Sequence, residues 1–299
     1  MIRFERVSKR YGRHVALSGL SLEVRRGEVV ALLGPNGSGK TTTLKAAAGL
    51  VHPSEGTVML GEPPRPAAEP DARRTLSYLP QKVAFPEALT GREVVEFYRR
   101  LRGLGAARTD EALHVAALNG AGARQVGTYS GGMVQRLGLA VAALPDAPVL
   151  LLDEPTSSLD TAGLGAVYAL AVRARREGRA VLFTSHQPAD VERLADRVAV
   201  LVGGRLVALL GRGELAERLA ARGVLRARVE RVPPGLGERL ASLAPGAAVE
   251  GDQVVVPGDA RTRAAALQLL AEAGARVRQL AAEEGRLDLL YQELAGGDA

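Results

Sequence analysis

Apolar residues alternate with charged or small ones at Ile2 and Phe4 and again at Leu20, Leu22 and Val24, so antiparallel strands with one wet face are expected near the start of the chain. Beyond Gly27 the pattern becomes continuous. Residues 29–33, 149–152 and 180–183 are short unbroken apolar runs, the composition of strands covered on both faces in a parallel sheet. An α/β core follows from them. The Pro-rich stretch 62–70 can neither continue a helix nor fill a strand ladder and is expected as a surface loop. From Phe85 to Tyr129 the apolar spacing turns to three and four, as in Val94, Phe97, Tyr98 and Leu101, which places a helical subdomain at about 85–145.

After about Gly223 the character shifts again. Leu225, Ala227 and Val229 alternate with Arg226, Arg228 and Glu230, and Val254, Val255 and Val256 follow a Gly251-Asp252 turn signal. A helix is expected after an Asp259 N-cap, with Ala264, Leu267, Leu270 and Ala271 on one face and Gly274 past its end. A last helix carries Leu287, Leu290, Tyr291 and Leu294. The order strand, helix, hairpin, helix, strand, helix describes a small α+β domain, for which a ferredoxin-like topology is one arrangement. The division expected is therefore 1–222 for the α/β domain and 223–299 for a small accessory domain.

Composition narrows the chemistry. The chain has 299 residues, no cysteine and four histidines, His14, His52, His114 and His186, none paired at metal-ligand spacing. Disulfides, thiolate metal sites and thiol nucleophiles are excluded. The net charge of +6 is spread along the chain rather than gathered into a stripe, and no nucleic-acid partner is expected. No apolar run approaches membrane-spanning length and the start lacks a signal-peptide core, so a cytoplasmic location is expected.

Gly34-Pro35-Asn36-Gly37-Ser38-Gly39-Lys40-Thr41 fits the phosphate-binding P-loop pattern, after a buried strand and before a helix that begins near Thr42. Its glycines let successive N–H groups turn toward phosphate oxygens, and the helix adds its positive end. Lys40 would meet the β and γ phosphates and Thr41 would ligate Mg²⁺. The run 149–152 ends in Asp153 and Glu154, two carboxylates at the strand edge where α/β sheets bind ligands. Asp153 is expected to hold Mg²⁺ and Glu154 to polarise the attacking water as general base.

Between these motifs lies Tyr129-Ser130-Gly131-Gly132-Met133, which resembles the signature of ATP-binding cassette (ABC) proteins. It departs from the usual Leu-Ser-Gly-Gly-Gln at Tyr129 and Met133 and keeps the Ser130, Gly131 and Gly132 donors. Other landmarks of that family follow in order. Tyr11 resembles the aromatic that stacks on adenine, Gln81 the Q-loop glutamine, Asp160 in Ser158-Leu159-Asp160 the D-loop, and His186 the switch histidine. The resemblance covers roughly 2–215.

It implies a P-loop NTPase fold with an antiparallel N-terminal β subdomain and a helical signature subdomain. It also implies an ATPase that uses ATP and Mg²⁺, the latter held by Thr41, Gln81 and Asp153. Two copies would pack head to tail, each ATP lying between residues 34–42 and Tyr11 of one chain and Ser130 to Gly132 of the other. Gln81 would sense metal and water, His186 would orient water and γ-phosphate, and Asp160 would cross the dimer. The work would be delivered to a separate integral membrane subunit from the inner face of the membrane.

Residues 83–95 and 287–294 further resemble the ATPase of the copper-processing transporter of nitrous oxide reductase maturation, which would bring a periplasmic accessory protein into the complex. A general ABC-2-type exporter shares much of that pattern. A non-transport ABC protein acting on ribosomes or nucleic acid is a further alternative, as is a regulator that binds nucleotide without hydrolysis. The C-terminal segment would complete a dimer interface, or regulate or dock to the membrane partner.

Overall fold

The structure is a computed structural model and describes residues 1–296, so the last three residues of the expected C-terminal domain lie outside the described residues. The chain forms two compact units, Met1–Arg212 and Gly213–Ala299.

The first unit opens with β1 (Ile2–Tyr11) and β2 (His14–Val24), antiparallel as their alternation requires, then the fully buried β3 (Val29–Leu33) and α1 (Lys40–Ala47). β4 (Glu55–Leu60) leads into the Pro-rich stretch. That stretch is not wholly a loop: Arg65–Pro66 form β5 on the edge of β4, Ala67 is buried, and Pro70 opens the short α2 (Pro70–Arg74). At the first helical position the missing proline N–H costs nothing, so the residue that argued against structure begins one.

β6 (Leu76–Leu79) is followed by the helical part: α3 (Gly91–Leu101), α4 (Arg108–Val115) and α5 (Gly131–Ala143). Thr90 caps α3 through a capping box with Glu93, whose carboxylate those bonds hold below its ordinary range. Val94 and Val95 of α3 pack with Leu113, Leu118, Leu137 and Leu144 into a separate small core. Here the phase of α3 differs from expectation. Its buried side is Val94, Val95 and the partly buried Tyr98, whereas Phe97 and Leu101 are 60% and 71% exposed. The apolar arc is wider than the face α4 and α5 cover.

The chain then returns through β7 (Val149–Leu152), α6 (Thr161–Arg176), β8 (Ala180–Thr184), α7 (Pro188–Leu194), β9 (Arg197–Val202) and β10 (Arg205–Gly211). The large sheet has the order β10-β9-β3-β8-β7-β6 and is parallel except at β10, while β2-β1-β4-β5 form a separate antiparallel sheet. Parallel pairing puts the C-terminal ends of β3, β6, β7 and β8 on one edge. Motifs far apart in sequence therefore meet there.

The second unit begins with α8 (Glu214–Ala220), ahead of the boundary expected at Gly223. Its Leu219 carbonyl accepts from Gly285 N–H, and the following Arg222 pairs with Glu293, ties that bind this helix to the end of the chain. Then come β11 (Val224–Val229), α9 (Leu236–Leu243), β12 (Ala248–Glu250), β13 (Gln253–Pro257), α10 (Ala260–Glu272), β14 (Val277–Glu283) and α11 (Leu287–Gly296). The sheet order β12-β13-β11-β14, antiparallel throughout, is the ferredoxin-like one. Asp259 caps α10 as expected, but the helix buries Arg263, Ala266 and Leu270, leaving Ala264 and Ala271 exposed. Leu290 and Tyr291 of α11 are buried.

Candidate functional site

The loop from β3 to α1 is shaped by two glycines that no other residue could replace. Gly34 has φ 156°, and a Cβ there would lie 2.2 Å from the Leu201 carbonyl oxygen. Gly39 has φ 100°, and its Cβ would meet the Ala16 carbonyl oxygen at 2.6 Å. Gly37, also left-handed at φ 80°, faces open space. The chain curls around Lys40, whose Nζ donates to the carbonyls of Gly34 at 2.7 Å and Pro35 at 3.0 Å. Burial pushes its ammonium below the ordinary lysine range, and the charges of Glu154 and Asp153 oppose that shift.

Asp153 sits just past β7, 1% exposed. Its Oδ1 accepts from Thr41 Oγ1 at 3.2 Å and from Thr184 Oγ1 at 2.8 Å, while Oδ2 is buried without a hydrogen-bond partner. Burial raises its carboxyl above the usual range, and the Thr184 and Thr41 hydroxyls pull it back. A hard divalent cation would satisfy Oδ2, and the oxygen donors Thr41 and Asp153 are of the kind Mg²⁺ takes. Tyr78 of β6 is held protonated first by burial and then by the Asp153 charge.

Glu154 has φ 47°, uncommon for a residue with a side chain. Its N–H donates to Thr184 Oγ1 at 2.7 Å, so one buried hydroxyl fixes both carboxylate residues. The Glu154 carboxylate accepts from Gln81 Nε2 at 3.0 Å and lies 3.7 Å from His186 Nδ1. Gln81 and Glu154, with Tyr11, His14 and residues 36–42, line a cleft of about 440 Å³. Tyr11 is 48% exposed, its ring under the Lys9 ammonium at 5.0 Å.

The signature residues stand elsewhere. Ser130 caps α5, accepting from Met133 N–H at 3.3 Å, and neither it nor Gly131 or Gly132 lines the cleft. They neighbour the D-loop instead. A Cβ on Gly132 would lie 3.0 Å from the Ser158 carbonyl oxygen, and Arg136 of α5 lies 3.6 Å from Asp160. Asp160 caps α6 by accepting from Gly163 N–H at 2.8 Å.

Sequence reasoning did not single out Thr184, Tyr78 or His14. Thr184 carries the clearest signal in retrospect: it is the polar residue that closes the apolar run 180–183 and is nonetheless fully buried.

A family model described as ABC transporter matches residues 17–157. The chain is 40% identical over 222 residues to the uncharacterized ABC transporter ATP-binding protein YxlF of Bacillus subtilis, covering 73% of this chain and 72% of that one. It is 35% identical over 300 residues to the daunorubicin resistance ATP-binding protein DrrA3 of Streptomyces coeruleorubidus, covering 97% and 94% of the two. Among solved structures it is similar to a dimeric ATP-binding cassette in a post-hydrolysis state bound to ADP and Pi, with a TM-score of 0.65 and 26% identity over 71% of this chain and 98% of that one.

Proposed function

The chain belongs to the ABC transporter family of ATP-binding subunits, with the P-loop ATPase fold of that family, and on that premise we propose that it binds and hydrolyses ATP to power a separate membrane subunit of an exporter. The observation that carries the proposal is the gathering of Lys40, Thr41, Asp153 and Glu154 at one sheet edge beside the cleft. Residues 34–42 bind the phosphates, Lys40 exchanging its loop carbonyls for phosphate oxygens, and Tyr11 covers the adenine. Thr41, Asp153 and Gln81 would hold Mg²⁺, which when bound supplies positive charge against the phosphate oxygens. Glu154 takes the proton of the attacking water, and His186 orients water and γ-phosphate.

The remaining motif requires a second copy. Ser130, Gly131 and Gly132 lie at an accessible helix start and do not line their own cleft, and in this reading their donors would meet a nucleotide held by another chain. Asp160, beside them, crosses the same interface. Among the described residues no helix is long and apolar enough to cross a membrane. In this reading the membrane part would be a separate chain, contacted from the inner face. The exposed Phe97 and Leu101 of α3 supply apolar surface for that contact.

The match to a daunorubicin resistance protein over almost the whole chain favours an exporter of the drug-resistance kind. The narrower copper-processing reading, with its periplasmic accessory protein, rests on residues 83–95 and 287–294. In the latter segment Leu290 and Tyr291 are core residues whose pattern packing also explains.

Glu154→Gln tests the proposal. It leaves the phosphate grip intact and removes the base, so with ATP the variant elutes as a dimer on size exclusion while wild type releases phosphate. A variant that binds ATP and stays monomeric refutes the sandwich. Absence of phosphate release from wild type refutes the hydrolysis.

A further inference from the structure

A second buried carboxylate lies behind the candidate catalytic pair. Asp190, in the first turn of α7, is 2% exposed. Three hydroxyls meet it: Thr156 Oγ1 donates to Oδ2 at 2.6 Å, Ser185 Oγ to Oδ2 at 3.2 Å, and Tyr168 to Oδ1 at 2.7 Å. A carboxylate this deep persists only when hydrogen-bonded in this way. The positions of the donors give the cluster its interest. Thr156 follows Glu154 by two residues, and Ser185 immediately precedes His186. Ser185 Oγ also accepts from Gln187 N–H at 3.0 Å, so its side chain brackets His186 along the chain. His186 is half-exposed and 3.7 Å from Glu154, a contact too long to hold a ring in place. Its position is set by its backbone, and that backbone is moored to Asp190. The third donor, Tyr168, comes from α6, a sixteen-residue helix that serves as a fixed post.

We infer that Asp190 is a positioning residue: its carboxylate ties the segment after Glu154 to the segment carrying His186 and so fixes the spacing of the two groups across the reacting phosphate. The inference rests on the ATP-hydrolysing reading above. It differs from a purely structural role in what it leaves alone. Its hydroxyl partners make no side-chain hydrogen bond to residues 34–42 or Tyr11, so nucleotide affinity is expected to be independent of it.

The full-length chain and its variants are compared by steady-state phosphate release, binding of a fluorescent ATP analogue and thermal unfolding. Asp190→Ala lowers kcat roughly 10- to 100-fold, the effect of a small misplacement, with analogue affinity unchanged within about twofold. Asp190→Asn returns kcat to within about threefold of wild type, because hydroxyls can reverse and accept from an amide. In a His186→Ala background Asp190→Ala costs less than about threefold more, since the two residues act as one unit. If Asp190→Ala does not fold, Ser185→Ala, which removes one mooring, carries the same comparison with His186→Ala.

Loss of analogue affinity in step with turnover, full additivity with His186→Ala, or an Asp190→Asn variant that folds but is as slow as Asp190→Ala overturns the inference and leaves the functional reading intact. A wild-type chain that binds the analogue and releases no phosphate overturns both.

Discussion

Thr184→Val removes a single hydroxyl and nearly preserves volume. In the folded chain that hydroxyl donates to Asp153 Oδ1 at 2.8 Å and accepts from Glu154 N–H at 2.7 Å. A hydrogen bond to a charged group contributes about 1.5–3 kcal/mol, and leaving a backbone N–H unsatisfied costs about 1–3 kcal/mol. Asp153 keeps its Thr41 bond and Glu154 is only partly buried, so the lower ends apply, about 2.5 kcal/mol in all. For a unit of this size that lowers the thermal midpoint by roughly 5–10 °C. The kinetic effect is separate. Glu154 is held at φ 47°, a conformation costing on the order of 1–3 kcal/mol that the Thr184 bond helps to maintain. Without it the backbone relaxes and the carboxylate moves, and turnover falls roughly 10- to 100-fold. The assay is urea or thermal unfolding of the first unit alongside phosphate release, with Thr184→Ser as control, expected within about 1 kcal/mol of wild type. A Thr184→Val protein within about 0.5 kcal/mol of wild type and with normal turnover would falsify the assignment of Thr184 as the shared anchor.

Two further outcomes follow from the geometry. Gly34→Ala forces a Cβ against the Leu201 carbonyl oxygen and should abolish nucleotide binding, whereas Gly37→Ala meets open space and should cost only the left-handed penalty, about 1–2 kcal/mol; equal affinities for the two variants would contradict the loop geometry. Burial, and then the Asp190 hydrogen bond and charge, push the Tyr168 phenol up to about 12. Folded chains keep that proton where unfolded ones have lost it, so its contribution is present below pH about 10 and is lost as pH rises toward about 12. Ultraviolet titration of wild type against Tyr168→Phe checks this: a difference curve with its midpoint near 10 would refute it.

The sheet was legible because its strands declare themselves locally: residues 29–33, 149–152 and 180–183 are apolar without interruption and became β3, β7 and the body of β8. The P-loop was legible for the same reason, its pattern lying between a strand and a helix. What sequence could not give was phase and pairing. Val94, Phe97, Tyr98 and Leu101 share helical spacing, yet which part of that arc is covered depends on α4 and α5, so Phe97 and Leu101 emerged exposed. Ala264 and Ala271 misled in the same manner, α10 turning toward its sheet on Ala266 and Leu270. The α8 boundary was missed because its tie to Gly285 is made by a backbone carbonyl, which carries no residue signal. Thr184 and Asp190 stayed hidden because small polar residues near strand ends usually mark arrival at solvent. The bonds that tie each to the strand end at Asp153 and Thr156 span about thirty residues, joined by folding alone.

The bare backbone at Gly132 admits the Ser158 carbonyl, and Arg136 one turn later holds Asp160. These two contacts join the start of α5 to the turn that caps α6. A push on the start of α5 from outside would therefore be felt first at the turn of residues 158–160, a few positions beyond Glu154.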